Sequence, residues 1–162
     1  MIKIRPIKRD EWAAAKLLVY RVAHRIFNET RSLEEAIADY DSRGALDDML
    51  DIQKNYFDNG GIFLVMTDDQ ELIGTGAIRK FDDETCELKR LWFLPLYHGR
   101  GLGYQMIQKL LGIAREMGYQ KVRLETDQIT QRRAYDLYKR LGFVELPLGS
   151  NDPDDVPMEM NL

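Results

Sequence analysis

Apolar and polar residues alternate over positions 2–7, the period of a half-buried strand. From there the period lengthens. Trp12, Ala15, Val19, Val22 and Ile26 recur every three or four residues, predicting a helix capped by Asp10 and running to residue 28. Ser32 and Glu35 have the spacing of a capping box and open a second helix, which Gly44 breaks. Leu46, Met49, Leu50 and Phe57 extend an apolar face to the Asn59-Gly60-Gly61 stop.

Past Gly61 the pattern becomes extended. Residues 62–67 and 71–81 read as strands joined at Asp68-Asp69-Gln70, and the Asp82-Asp83 turn leads into a third over 85–94. A helix follows with Leu102, Met106, Leu110, Ala114 and Met117 on one stripe and Gly118 as its C-cap. Then come a strand over 121–126, a helix over 130–141 carrying Ala134, Leu137, Tyr138 and Leu141 in register, the Gly142 stop, and closing strands over 143–146 and 156–162. The order is β-α-α-β-β-β-α-β-α-β-β. The strand-helix-strand unit over 85–126 requires a right-handed crossover and a parallel pair, whereas the hairpins require antiparallel ones. The fold class is therefore α/β (α+β): a mixed, mostly antiparallel sheet of six to seven strands with helices on both faces. No repeat or linker interrupts it, so a single domain over 1–162 is expected.

Composition narrows the classes. The chain has 162 residues, 44% hydrophobic and 31% charged, enough for a core and a soluble surface. No apolar run approaches the roughly 20 residues of a membrane span. The opening MIKIRPIKRDEW enters charged sequence at once, unlike a signal or transit peptide, and the single Cys86 suits a reducing cytoplasm. One cysteine and two distant histidines make no metal site, so no metal is expected. A net charge of −4 gives nucleic-acid binding no basic surface.

The segment with the most chemistry is Leu91-Trp92-Phe93-Leu94-Pro95-Leu96-Tyr97-His98-Gly99-Arg100-Gly101-Leu102-Gly103, a strand, a proline stop, a glycine-rich turn and a helix start. Glycines at alternate positions admit a ligand close to the backbone, and the helix N-terminus offers unpaired N–H groups to an anion such as a pyrophosphate. It is not a P-loop, since no lysine follows Gly103. Nor is it a Rossmann fingerprint, since Met106 stands where the last glycine belongs and a meander precedes it.

The loop from His98 to Gly103 resembles the acetyl-CoA loop of the GNAT superfamily of N-acetyltransferases, Gln/Arg-x-x-Gly-x-Gly/Ala. Glu87 to Phe93 is similar to that family's fourth strand and Leu124-Glu125-Thr126 to its fifth. Ala134-x-x-Leu137-Tyr138-x-x-x-Gly142-Phe143 resembles its last helix and turn, and Met158-Glu159-Met160 a common final strand. The resemblance covers residues 62–162. It implies the GNAT fold, acetyl-CoA as co-substrate and direct attack by a primary amine of a small molecule, peptide or protein in a ternary complex. It further implies that Gly99, Arg100, Gly101, Leu102, Gly103 and Tyr104 grip the pyrophosphate with His98. Leu91, Trp92 and Phe93 then pair with the pantetheine arm, the Phe93 N–H facing the developing oxyanion, while Gln131, Ala134 and Tyr138 complete the cofactor side. Tyr138 takes the role of general acid toward the thiolate, with Tyr135 and Tyr104 as stand-ins. The general base is Glu87, at the position used by histone-acetylating members, or Glu125, near that of members acetylating protein N-termini. Strand alternation puts Glu87, Lys89, Leu91 and Phe93 on one face unless a bulge intervenes.

Two departures from the family pattern, His98 for Gln or Arg and Gln131 for asparagine, motivate an alternative: a GNAT-like domain that binds or senses acyl-CoA without turnover. Residues 29–59 carry nine acidic and three basic residues, either a solvated face or an acidic rim for a cationic amine. The segment from Pro147 to Asp155 is a second candidate for the acceptor entrance. Arg100, Lys109, Arg132, Arg133, Lys139 and Arg140 fall toward the cofactor end. The family resemblance leaves a homodimer open.

Overall fold

The run Phe63-Leu64-Val65-Met66 is apolar without alternation because both of its faces are covered. In a computed structural model, described over residues 1–147 and 154–162, it lies in β2 (Ile62–Asp68), inside a sheet with β1 (Ile2–Pro6), β3 (Glu71–Lys80), β4 (Thr85–Phe93), β5 (Lys121–Asp127), β6 (Val144–Glu145) and β7 (Asp155–Asn161). The spatial order is β1-β2-β3-β4-β5-β7-β6. β4 and β5 run parallel, and every other neighbouring pair is antiparallel. The predicted element order and mixed sheet are thus found.

Phe63 and Val65 point into one core with Ala15, Val19 and Tyr20 of α1 (Trp12–Ile26), on the side that also holds α2 (Leu33–Ser42). Leu64 and Met66 point into the other, against Met106, Ile107 and Leu110 of α3 (Leu102–Glu116) and Tyr138 of α4 (Arg132–Leu141). In β3, a Cβ on Gly74 would lie 2.3 Å from the Phe93 ring and one on Gly76 2.7 Å from Met106 Cγ, so the missing side chains let ring and helix approach the strand. Among the described residues no helix is long and apolar enough to cross a membrane.

Several local expectations are corrected. The first helix is entered through a 3-10 turn over Arg9–Glu11, and Glu11 rather than Asp10 serves it: its Oε2 accepts from the Lys8 N–H at 2.9 Å while Oε1 holds Arg5 at 2.6 Å. Ser32 does cap α2, accepting from the Glu35 N–H at 3.1 Å. Leu50 is exposed. A tight turn at Asp47–Met49 followed by a π-helical turn at Gln53–Phe57 widens the spacing, so Ile52 and Tyr56 join Leu46 and Met49 in the core. Met117, past the end of α3, is also exposed.

The feature that shapes the middle of the sheet is a β-bulge. The β3–β4 register shifts between Thr75 and Ala77, so Gly76 faces both Arg90 and Leu91. Arg90 sits at φ +57°, a left-handed conformation costing a non-glycine residue roughly 1–2 kcal/mol. The Thr75 hydroxyl donates to the Arg90 carbonyl at 2.6 Å, and the Arg90 guanidinium donates to both oxygens of Asp48 at 2.6 and 3.0 Å. Tyr56 donates its hydroxyl to the same carboxylate. The extra residue reverses the alternation, so Cys86 and Leu88 before the bulge share the α3 side with Leu91 and Phe93 after it. Glu87 and Lys89 fall on the opposite face from Phe93, which corrects the single-face expectation.

The β4–β5 ladder is short: Thr85, Cys86 and Glu87 pair with Lys121, Val122 and Arg123, and the strands then part. Beyond Glu87 the outer edge of β4 faces a gap.

Burial pushes the Asp48 carboxyl up, but the hydrogen bond and charge of Arg90 outweigh it, leaving it below its ordinary 3.8. A depressed folded-state value gives stability that is present above 3.8 and lost as pH falls through the lowered value. D48A should therefore lower the unfolding free energy at neutral pH by about 3 kcal/mol in urea titration. The gap to the parent chain should narrow as the solution is acidified below the ordinary carboxylate range.

Candidate active site

Two cavities open on the gap. The larger, about 680 Å³, is lined by Leu91, Trp92 and Phe93 of β4, the loop residues Tyr97, His98, Gly99 and Gly101, the start of α3 at Leu102, Gly103 and Tyr104, and residues of α4 and its approach. The smaller, about 360 Å³, takes Glu87 through Trp92 from β4, Leu124 through Asp127 from β5, and Phe27, Gln131, Tyr138 and Asp155. Leu91, Trp92 and Gln131 belong to both.

The glycine loop does what its composition requires. Gly99 and Gly101 take φ values of +77° and +76°, and Gly101 stands at the N-terminus of α3. The first recorded helical bond there runs from Gln105 N to Gly101 O at 3.1 Å. The N–H groups of Leu102, Gly103 and Tyr104 are therefore without intrahelical partners, at the positive end of a four-turn helix. Arg133 and Arg140 of α4 line the same cleft, and neither is ion-paired among the described residues. The site thus presents backbone donors and two guanidinium groups to an anionic ligand.

On β4, Leu94 N–H donates to Ile73 O at 2.9 Å. Neighbouring peptide groups of a strand point to opposite edges, so Phe93 directs its N–H and carbonyl away from β3, into the gap. The carbonyl accepts from His98 Nε2 at 2.7 Å, which fixes that nitrogen as the protonated one and ties the loop to the strand end. The N–H is left facing the cleft. Gln131, just before α4, turns its side-chain oxygen to Asp127 N at 3.4 Å and Thr126 Oγ1 at 3.5 Å.

Eleven of the residues expected on the cofactor side lie together in the larger cleft: Leu91, Trp92, Phe93, His98, Gly99, Gly101, Leu102, Gly103, Tyr104, Gln131 and Ala134. Arg100 does not line it, because its guanidinium lies over the Tyr97 ring at 5.0 Å. Tyr138 lies in the smaller cavity with Glu87 and Glu125. It is almost wholly buried against Phe143, and among the described residues its hydroxyl has no hydrogen-bond partner; burial pushes its pKa up, so it remains a proton donor. Tyr135 is unsuited to replace it, since its hydroxyl is engaged by Glu145. Glu87 is held by Arg79 at 3.3 Å and Lys89 at 3.5 Å, whereas Glu125 is half exposed and only loosely approached by Arg123, at 3.6 Å.

Sequence reading set Arg133 and Arg140 toward the cofactor end among six basic residues, without singling them out as the pair from α4 that lines the cleft. Their signal was the spacing 130, 133, 137, 140, which continues the helical face of Ala134 and Leu137. Of the other basic residues of that end, Arg132 pairs with Asp136 at 3.2 Å and Lys139 lies over Tyr135. Asp127 was missed, because only the β5–β7 register sets it opposite Asp155, the last residue of the proposed entrance segment, which does line the smaller cavity. The acidic stretch 29–59 lines neither cavity: Glu29 and Asp39 hold Arg31, Asp41 holds Lys16, and Asp48 holds Arg90. Most of the proposed entrance loop, 148–153, lies outside the described residues.

Residues 20–143 match the model of the acetyltransferase (GNAT) family. The chain belongs to that family. Among relatives, N-acetyltransferase 8B of Homo sapiens is 35% identical over 102 residues, 59% of this chain and 44% of that protein. The uncharacterized N-acetyltransferase YjgM of Escherichia coli is 31% identical over 110 residues, 65% of each chain. This GNAT chain thus spans less than two thirds of the length of either relative. The solved PaiA N-acetyltransferase of Thermoplasma acidophilum, in complex with coenzyme A, shares the fold at TM-score 0.79 and 20% identity, covering 100% of this chain and 99% of that one.

Cys86 is fully buried, and desolvation pushes its thiol up to about 12, so it carries no thiolate at neutral pH. The native protein should resist alkylation by iodoacetamide at pH 8, with one equivalent reacting only after denaturation. Mass spectrometry of the intact chain reads both.

Proposed function

We propose that this GNAT chain, acting as one domain, transfers the acetyl group of acetyl-CoA to a primary amine by direct attack in a ternary complex. The observation that carries this reading is the pair of cavities meeting at Leu91, Trp92 and Gln131 beside the unpaired edge of β4. Coenzyme A needs donors for its phosphates and a partner for its amide-bearing arm, and the cleft supplies both. The free N–H groups at the start of α3, with Arg133 and Arg140, take the phosphates, and the open edge of β4 takes the arm as an added strand.

This chain's residues then divide the work at the thioester. The Phe93 N–H stabilises charge on the carbonyl oxygen, a contribution of about 3 kcal/mol for one such donor. Tyr138, buried and without a hydrogen-bond partner among the described residues, keeps its proton and delivers it to the departing sulfur. Glu125 is better suited than Glu87 to take the proton of the attacking ammonium, directly or through water, because two cations already hold Glu87. The family departures fit this role: His98 braces the loop through Phe93 O, and Gln131 braces the turn before α4.

Calorimetric titration with acetyl-CoA should show binding, and its absence at millimolar concentration would sink the reading. Thiol release across a panel of amines separates transfer from binding alone. With an acceptor in hand, Y138F should lower kcat by about 100-fold while leaving the acetyl-CoA KM nearly unchanged.

A further inference from the structure

Building on the N-acetyltransferase reading, we propose that the acceptor is an amine with a carboxylate on the neighbouring carbon, a free α-amino acid, and that Lys89 receives the carboxylate. The charge balance of the β4 wall leads there. Asp48 is bound by both arms of Arg90, at 2.6 and 3.0 Å. Glu87 is shared between Arg79 at 3.3 Å and Lys89 at 3.5 Å. This connected group holds three cations, Arg79, Lys89 and Arg90, against two carboxylates.

The surplus positive charge settles on the member with the loosest contact. That is Lys89, which lines the smaller cavity as Arg79 does not, with only 27% of its side chain exposed. Burial, then the neighbouring Arg90, lowers its pKa, and the opposing pull of Glu87 does not cancel this. A partly buried cation in this position is costly until an anion completes it.

The opposite wall has the other sign. β5 and β7 bring Glu125, Asp127 and Asp155 to the cavity, and Arg123, outside its lining, lies 3.6 Å from Glu125; counting Glu125 and Asp127 against Arg123, the wall keeps surplus negative charge. The gap between β4 and β5 is therefore polarised across its width, positive at Lys89 and negative at the β5–β7 carboxylates. A zwitterion matches this polarity. Its ammonium lies toward Glu125, beside the Tyr138 hydroxyl, and its carboxylate reaches across to Lys89. A simple amine, a diamine or an amino-acid amide leaves Lys89 with only its share of Glu87. The cavity's 360 Å³ is of a size to hold a single amino acid.

Thiol release by the full chain with acetyl-CoA is measured for the standard L-amino acids, their amides and their decarboxylated amines. Free acids should exceed their matched amides and amines in kcat/KM by at least about tenfold, the value of one charge-assisted hydrogen bond. K89M should cut kcat/KM for the acids by about 10- to 100-fold, mainly through KM, and collapse the acid-to-amine ratio toward one. K89R, which keeps the charge, should restore most of the preference. Amides or amines turned over as well as the acids, or a K89M loss equal for all three, would overturn the proposal while leaving N-acetyl transfer standing. Failure to bind acetyl-CoA would overturn both.

Discussion

Everything at the site depends on one ion pair placed under a strained residue. Arg90 takes a left-handed conformation that a longer-chain residue resists, and Asp48, forty-two positions away in sequence, holds it there with two hydrogen bonds. The bulge this maintains turns Phe93 into the α3 core and Trp92 toward α1 and α2, and inverts which side chains see which helix layer. Because the pair joins the segment before β2 to the strand bordering the gap, the N-terminal layer acts as a clamp on the geometry of the cleft. A buried pair of this kind adds little net stability over a well-packed apolar one. Its value here is conformational: it holds Arg90 in the bulged register of β4.

Most of the fold was legible because its signals are local. Periods of two and of three to four residues marked nearly every element, and glycines at 44, 118 and 142 marked real helix ends, each at positive φ. The cofactor-side residues were legible for the same reason, since a strand, a glycine turn and a helix start are contiguous in sequence. What escaped was non-local. Nothing around Arg90 announces a bulge: the residue is not glycine, and its conformation is imposed by Asp48 and Thr75 from other elements. The cap at Glu11 escaped because it depends on Arg5 reaching back from β1. The acidic stretch 29–59 was readable as charge, but not that four of its nine carboxylates, Glu29, Asp39, Asp41 and Asp48, are held by cations or that none of the nine lines either cavity.

The division of the two cavities also gives the departures from the family pattern a physical meaning. A loop that holds phosphates mainly through backbone N–H groups tolerates a changed side chain at position 98, provided the loop remains fixed. His98 fixes it from inside, by bonding to the end of the strand the loop leaves. Gln131 does the corresponding work at the other lip, bonding the turn that precedes α4. Both side chains bond within the protein and brace the two lips of the cleft.

The unpaired stretch of β4 has a consequence for the solution behaviour of the chain. A strand edge with free N–H and carbonyl groups is ordinarily a template on which other chains add, and proteins blunt such edges with charges, prolines or short strands. Here the unpaired stretch lies inside the sheet, between β3 and β5, and borders the two cavities. The parting of β4 from β5 therefore leaves strand-edge groups available to a slender arm carrying amides while keeping them off the outer margins of the sheet, where β1 and β6 stand.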